Sequence, residues 1–314
     1  MQVVTRNWIK WLTCQSVLAT AFGADALAGP QQETFGPSSW WLPQNVFPAA
    51  DSISLLFYII LWLTTVICVA VFVVMGIFLV RYRYQPGRRS RFVHGNVRLE
   101  AVWTLIPTVI LALIAAFSQS TWSNIKRFPV VSDGEAVIEM EVVAKQFAWY
   151  FHYPGSDGIL GERRPDQVDL NASEPELIIG LDRSMPGCRD DIVSTVMVVP
   201  VNTKVKIKLN SVDVLHSFFL PNFRIKQDTV PGLNTQTWIE SIHTSGQVIG
   251  TSEDQPASFG HAKPFDIACA ELCGQGHFTM RGKLYVVTQE QYEAFLEEEA
   301  SYLDLGDQDE EEDY

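Results

Sequence analysis

Between Asp51 and Arg81 the chain runs for 29 residues without a charge, and most of them are apolar. At roughly 1.5 Å per residue, a helix of that length more than covers a hydrocarbon core of about 30 Å. A second uncharged run lies between Glu100 and Lys126, apolar from Ala101 to Phe117, and is long enough to span as well despite Pro107. Six arginines and no acid stand between Arg81 and Arg98, in the short connection between the two runs. Positive residues in such a connection mark the cytoplasmic side of a membrane. The pattern predicts a transmembrane hairpin over residues 51–125 with a cytoplasmic loop at 81–99, and both ends of the mature chain outside.

The beginning of the chain agrees with that topology. Arg6 and Lys10 precede an apolar stretch from Trp11 to Gly23, which ends in the small residues around Ala26, Leu27 and Ala28. This is the pattern of a signal peptide, here residues 1–28, cleaved after Ala28. Residues 29–50 would then form an N-terminal external segment. A lipoprotein signal centred on Cys14 fits less well, because Trp11 and Thr13 flank it where small residues are wanted. The location expected is a bacterial-type plasma (inner) membrane.

Beyond Lys126 the text changes to short alternating segments. Val205, Ile207 and Leu209 alternate with Lys204, Lys206 and Lys208, as in a half-buried strand. Similar segments occur around Val137–Val143, Phe147–Tyr153, Thr237–Ile239 and Leu284–Val287, separated by turn-rich polar stretches at 154–191 and 245–264. Short strands spaced by turns predict an all-β sandwich or barrel over residues 126–288. A short helix over Gln289–Ala300 and a disordered acidic tail are expected to close the chain at 289–314.

Charge narrows the partners. The 314 residues are 47% hydrophobic and 19% charged, which excludes a disordered or fibrous chain, and the net charge is −13. Twelve acids and no base lie between Glu290 and Tyr314. A chain so acidic outside its arginine loop is no nucleic-acid binder.

The chemistry is concentrated in one loop, which reads Cys269-Ala-Glu-Leu-Cys273-Gly-Gln-Gly-His277-Phe-Thr-Met280. His216 lies 53 residues earlier, in the apolar segment Asp213-Val-Leu-His-Ser-Phe-Phe-Leu-Pro221. Thiolates and a thioether together with imidazole favour copper over magnesium or calcium, and Met is an odd ligand for zinc. One blue-copper ion needs two His, one Cys and an axial Met, which leaves a second Cys over. If both thiolates bridge two coppers, each ion takes two sulfurs, one histidine and one weak donor. Met280 supplies one weak donor, and a loop carbonyl, that of Glu271, can supply the other. Such a site has no open position and suits electron storage and transfer. Taken alone, Cys269 and Cys273 could equally form a disulfide in an oxidising exterior, and His216, His277 or Met280 could each be packing residues. His152, His243 and His261 have no such company in the sequence and read as surface or structural. There is no Cys-x-x-Cys-His for covalent haem, so electrons must come from a separate donor. No phosphate loop, nucleophile elbow or H-E-x-x-H helix occurs.

With the C-x-E-x-C-G-x-x-H-x-x-M motif and the D-V-L-H-S-F segment intact, the chain resembles subunit II of the haem-copper cytochrome c oxidases from its first membrane helix to about Val287. The resemblance implies a two-helix transmembrane hairpin carrying a cupredoxin-like domain with the binuclear copper A centre. It implies the ligands His216, Cys269, Glu271 (carbonyl), Cys273, His277 and Met280. It further implies a magnesium ion shared with the catalytic subunit through the Glu271 carboxylate, and a proton-path mouth at Glu100. Glu100 could equally serve as an interfacial anchor at a helix N-terminus, where a negative charge is favourable anyway. The implied partners are the haem-copper oxidase subunit I, further oxidase subunits, the membrane, and a cytochrome c or other haem-containing donor. The implied activity is proton-translocating oxidation of ferrocytochrome c by O2, with oxygen chemistry in the partner.

The chain departs from the family at the tryptophan through which electrons usually enter. It reads Gln146-Phe147-Ala148-Trp149, so either Trp149 takes that role or the donor surface has changed. The stretch 241–265 also looks long for the family and would be able to cover or extend the rim where a donor docks. Rival readings are a membrane-anchored copper-storage or copper-delivery protein, and a metal-free quinol-oxidase subunit II, which would lack the thiols and His277. Nitrous oxide reductase shares the copper motif but not the hairpin.

Overall fold

The computed structural model describes residues 42–311 except 90, 91, 93 and 132–134, with backbone alone for the last eight. The expected signal peptide lies outside the described residues. Two helices come first, α1 (Asp51–Arg81) and α2 (Val97–Lys126), of 31 and 30 residues. Each is about 45 Å long at the α-helical rise, and their apolar windows bury nothing within the chain. Both ends of the connection are capped from within it. Arg88 Nη1 donates to the Arg81 carbonyl at 2.7 Å, and Asn96 Oδ1 accepts from the N–H groups of Arg98 and Leu99 at 3.1 and 3.2 Å. Pro107 is accommodated inside α2.

The second unit is a sandwich of two five-stranded sheets. Sheet one has the order β3-β2-β1-β5-β8, from β1 (Val137–Lys145), β2 (Ala148–Tyr153), β3 (Ile192–Ser194), β5 (Lys204–Ser211) and β8 (Thr235–Ile239). Sheet two has the order β4-β10-β9-β6-β7, from β4 (Met197–Pro200), β6 (His216–Leu220), β7 (Ile225–Thr229), β9 (Phe265–Cys269) and β10 (Arg281–Val287). The β1–β5 and β4–β10 pairs are parallel and the others antiparallel. Alternation sets the faces as the sequence predicts, with Val205, Ile207 and Leu209 fully buried and the intervening lysines half-exposed. Trp149 crosses between the sheets to meet the Phe218 ring edge-on at 5.5 Å, and the Tyr153 hydroxyl accepts from the Val198 N–H at 2.7 Å.

Three additions cover the sandwich. Residues 42–50 lie along its end: Val46 N–H donates to the Asn222 carbonyl at 3.0 Å, and Phe47 meets Trp238 edge-on at 4.7 Å. The excursion 154–191, which includes α3 (Pro175–Ile179), caps the outer face of β1–β2–β3. Its Ile178, Ile179, Leu181 and Cys188 pack on Val143, Tyr150 and Val193 as a second small core. Gly180 ends α3 at φ 75°, and a Cβ there would meet the Arg164 carbonyl oxygen at 2.3 Å.

The third addition corrects an expectation. The terminal helix α5 runs Gln289–Glu311 and continues past Ala300. A Thr288/Gln291 capping box starts it, with the two N–H to side-chain bonds at 3.1 and 3.3 Å, and buried Tyr292 and Phe295 anchor its first turns. The residues beyond Ala300 are mostly Glu, Asp, Leu and Gln, with no proline to break the helix once it is nucleated. The stretch 241–265 includes helix α4 (Ser245–Ile249). It packs on β10, where Phe259 lies 4.7 Å from Tyr285 and 6.1 Å from Phe295.

His152 takes the structural of the two roles its sequence leaves open. It is fully buried, with Nε2 at 2.6 Å from Asp191 and Nδ1 at 3.5 Å from Glu141. Arg163 binds Glu141 through two bonds of 2.7 Å, so the cap is fastened to the sheet by a buried ionic cluster. Burial works to raise the Glu141 pKa, but its hydrogen bonds from His152 and Arg163 hold it at about 2. Burial works to lower that of His152, and the bonds to Asp191 and Glu141 outweigh it, so the value rises. His243 and His261 are exposed, as expected of surface histidines.

Candidate metal centre

Four segments of the sandwich converge at one end. β6 begins at His216, β9 ends at Cys269, the loop 270–276 carries Cys273, and a single 3-10 turn, His277–Thr279, leads through Met280 into β10. The β6–β9 register sets Phe218 opposite Cys269, which brings the histidine of one strand to the thiol of the other despite 53 residues of separation.

The six residues that the sequence singles out as copper ligands lie together. The two sulfurs are 3.9 Å apart and not bonded to each other. His216 Nδ1 is 3.9 Å from Cys269 Sγ, and the Glu271 carbonyl oxygen is 3.2 Å from the same sulfur. His277 Nδ1 is 3.5 Å and Met280 Sδ 3.8 Å from Cys273 Sγ. Each thiol thus has one imidazole nitrogen and one weaker donor beside it. Metal–thiolate bonds are about 2.3 Å for zinc and similar for its neighbours, so sulfurs at this separation can share an ion. His216, Cys269 and Cys273 alone place their ligand atoms within 4.8 Å of one another.

The cluster is closed on its inner side. His216, Met280 and Cys273 are buried, whereas Cys269 and His277 are partly open. Burial, followed by the neighbouring Cys269 thiol, pushes the Cys273 thiol up to about 11. Metal uptake by the pair must therefore release protons.

Outside the six lies a supporting layer that sequence reasoning missed. Asp213 Oδ1 pairs with His216 Nε2 at 2.8 Å, which fixes the ring so that Nδ1 faces Cys269. Burial works to raise the Asp213 pKa, but the bonds from His216 and from the N–H groups of Gln146 and Val214 hold it below the usual range. Its position three residues before His216 was the available signal. Gln146 joins the same layer from the β1–β2 turn, and no local pattern marks it.

The remaining residues of interest fall elsewhere. Trp149 is 2% exposed and sits behind the ligands, its ring edge-on to that of His216 at 6.2 Å. Phe147 is 37% exposed and covers the ligand loop. The aromatic of the Gln146–Trp149 turn that faces outward is therefore Phe147. The Glu271 side chain is exposed. Glu100 stands in the first turn of α2, where a carboxylate meets the favourable end of the helix dipole.

Comparison with known proteins agrees with this architecture. The model of the cytochrome c oxidase subunit II transmembrane domain matches residues 37–120, and that of the periplasmic domain matches residues 139–287. The alternative cytochrome c oxidase subunit 2 of Bradyrhizobium diazoefficiens is 33% identical over 272 residues, covering 85% of this chain and 86% of that protein. Cytochrome c oxidase subunit 2 of Cereibacter sphaeroides is 30% identical over 310 residues, covering 91% and 90%. Among solved structures, the periplasmic domain of subunit II of cytochrome oxidase from Bradyrhizobium japonicum aligns with 56% of this chain and 99% of its own, at 23% identity and a TM-score of 0.36. Two membrane-capable helices, a β-sandwich with clustered thiols and imidazoles, and matches along nearly the whole length make this chain a member of the cytochrome c oxidase subunit II family.

Proposed function

We propose that this chain takes electrons one at a time from a cytochrome c-like haem protein and passes them to haem in the catalytic subunit of a terminal oxidase. The carrier would be a binuclear copper centre held by His216, Cys269, Glu271 through its carbonyl, Cys273, His277 and Met280. The observation that supports this most is the convergence of two unbonded thiols with two imidazoles, a thioether and a carbonyl. Such a copper pair supplies reversible storage of one electron.

The chain's own residues suit that task. His216 is oriented by Asp213 and needs no rearrangement to present Nδ1. The burial of Cys273, Met280 and His216 keeps water from the inner donors. A ligand set fixed before and after electron arrival keeps reorganisation small. Phe147, beside the loop and open to solvent, is the aromatic offered to a donor, which supports a changed donor surface over a role for the buried Trp149. The exposed Glu271 carboxylate could reach a magnesium ion shared with the catalytic subunit, and Glu100, in the first turn of α2, would mark the mouth of a proton path. The arginine-rich connection supports an inner-membrane orientation with the sandwich outside.

The copper-storage reading calls for exchangeable metal, which the buried inner donors oppose. The test is to load the full chain with copper in detergent, challenge it with a mild chelator, and mix it with reduced cytochrome c. Retained copper and rapid oxidation of the cytochrome are expected. Rapid loss of copper with no electron transfer would favour storage instead.

A further inference from the structure

We propose that Gln146 and Phe147, in the turn between β1 and β2, form a brace that holds the ligand loop in its metal-binding geometry before metal arrives. The inference rests on the copper-centre reading for its purpose, but its geometry is independent of it.

The turn belongs to sheet one, whereas the ligands come from sheet two and its loop, and three contacts join them. Gln146 N–H donates to Asp213 Oδ2 at 2.6 Å, and the other oxygen of that carboxylate holds His216. Gln146 Nε2 donates to the Cys273 carbonyl at 2.5 Å. One residue thus reaches both ligand-bearing segments, 67 and 127 residues away in sequence. The Phe147 ring then lies close against Gly274 and Gly276 of the loop. A Cβ on Gly276 would meet Phe147 Cδ2 at 2.5 Å, and one on Gly274 would meet Gln146 Nε2 at 2.9 Å and Phe147 Cζ at 3.2 Å. The Gly-Gln-Gly sequence that follows Cys273 is what lets the ring approach.

The physical consequence is preorganisation. A loop carrying Cys273 and leading to His277 and Met280 has no regular structure of its own between Ala270 and Gly276. Without external support, ordering it would fall to the metal and reduce affinity. Gln146 fixes the backbone at Cys273, and Phe147 limits solvent access to the loop from outside. Both are positioning residues, and neither offers a ligand atom.

The test measures iodoacetamide alkylation of the metal-free full chain in detergent, read residue by residue by mass spectrometry. The quantity is the rate at Cys273 relative to Cys188, a buried thiol of the cap, so general loosening that exposes both cancels. Gln146→Glu keeps the side-chain size and removes the donor to Cys273. Its Cys273 to Cys188 ratio is expected to rise about tenfold, the equivalent of one lost hydrogen bond. Phe147→Ala should raise the ratio as well, and Phe147→Trp should leave it within about twofold, because a ring still covers the loop. In copper-loaded protein, Gln146→Glu should shift the copper hyperfine coupling and the reduction potential with the metal count unchanged. Unchanged alkylation ratios in both Gln146→Glu and Phe147→Ala would overturn the brace. Failure of the parent chain to bind copper would overturn the copper-centre reading and leave the alkylation comparison standing as a test of the brace.

Discussion

At the scale of single residues, the site is a case of one local cluster completed by distant partners. The thiols, His277 and Met280 are legible because they fall within twelve residues of one another, and their chemistry names a metal. His216 is legible only as a histidine in an apolar strand, until the β6–β9 register carries it to Cys269. Asp213 escaped because a carboxylate in a turn has many roles, and only the 2.8 Å contact to Nε2 reveals this one. Removing it should let the His216 ring rotate. Asp213→Ala is expected to weaken copper binding by about 10–100-fold, and Asp213→Asn, which keeps an acceptor, by less. A competition titration against a chelator of known affinity measures both, and equal affinity in Asp213→Ala and the parent would show that the ring is held by other contacts.

At the scale of elements, the sequence yields the strands that alternate and hides the parts held by scattered contacts. Strand β5 declares itself through three buried aliphatics between lysines. The membrane helices declare themselves through length without charge. The cap over 154–191 does not, because its core residues are dispersed among Gly, Pro and Asp, and its ionic fastening joins Glu141, His152, Arg163 and Asp191 across two strands and a loop. Glu141 has its pKa lowered from 4.5 to about 2, so its contribution is present above 4.5 and lost as pH falls from there. For so buried a carboxylate the shift corresponds to about 3 kcal/mol. His152 has a raised value, so its contribution is complete below 6.5 and fades as pH rises through the raised pKa. Cap stability should therefore be greatest at mildly acid pH, between about 4.5 and 6.5. Arg163→Ala leaves Glu141 buried without its guanidinium and should destabilise the sandwich by about 3–5 kcal/mol. Thermal unfolding across pH reads both effects, and an Arg163→Ala profile superimposed on that of the parent would remove the cluster from the account.

At the scale of the whole molecule, charge is separated along the chain. Six arginines with no acid among them gather over residues 81–98, and the external part is acidic, with a net −5 from Asn124 to Gln289 and −12 beyond it. A basic haem donor would be drawn to that surface at a rate that falls as salt rises. Deleting residues 301–314 removes seven acids and should flatten the dependence of electron-transfer rate on ionic strength. An unchanged slope would confine the tail to solubility or assembly. The central claim is that two bridging thiols hold a pair of coppers that share one electron. Electron paramagnetic resonance of the copper-loaded full chain, with metal analysis of the same sample, tests it most directly. The account predicts two coppers per chain with one unpaired electron spread equally over both, and loss of that signal in Cys273→Ser. A single-copper spectrum, or active protein free of copper with Cys269 and Cys273 joined as a disulfide, would contradict it.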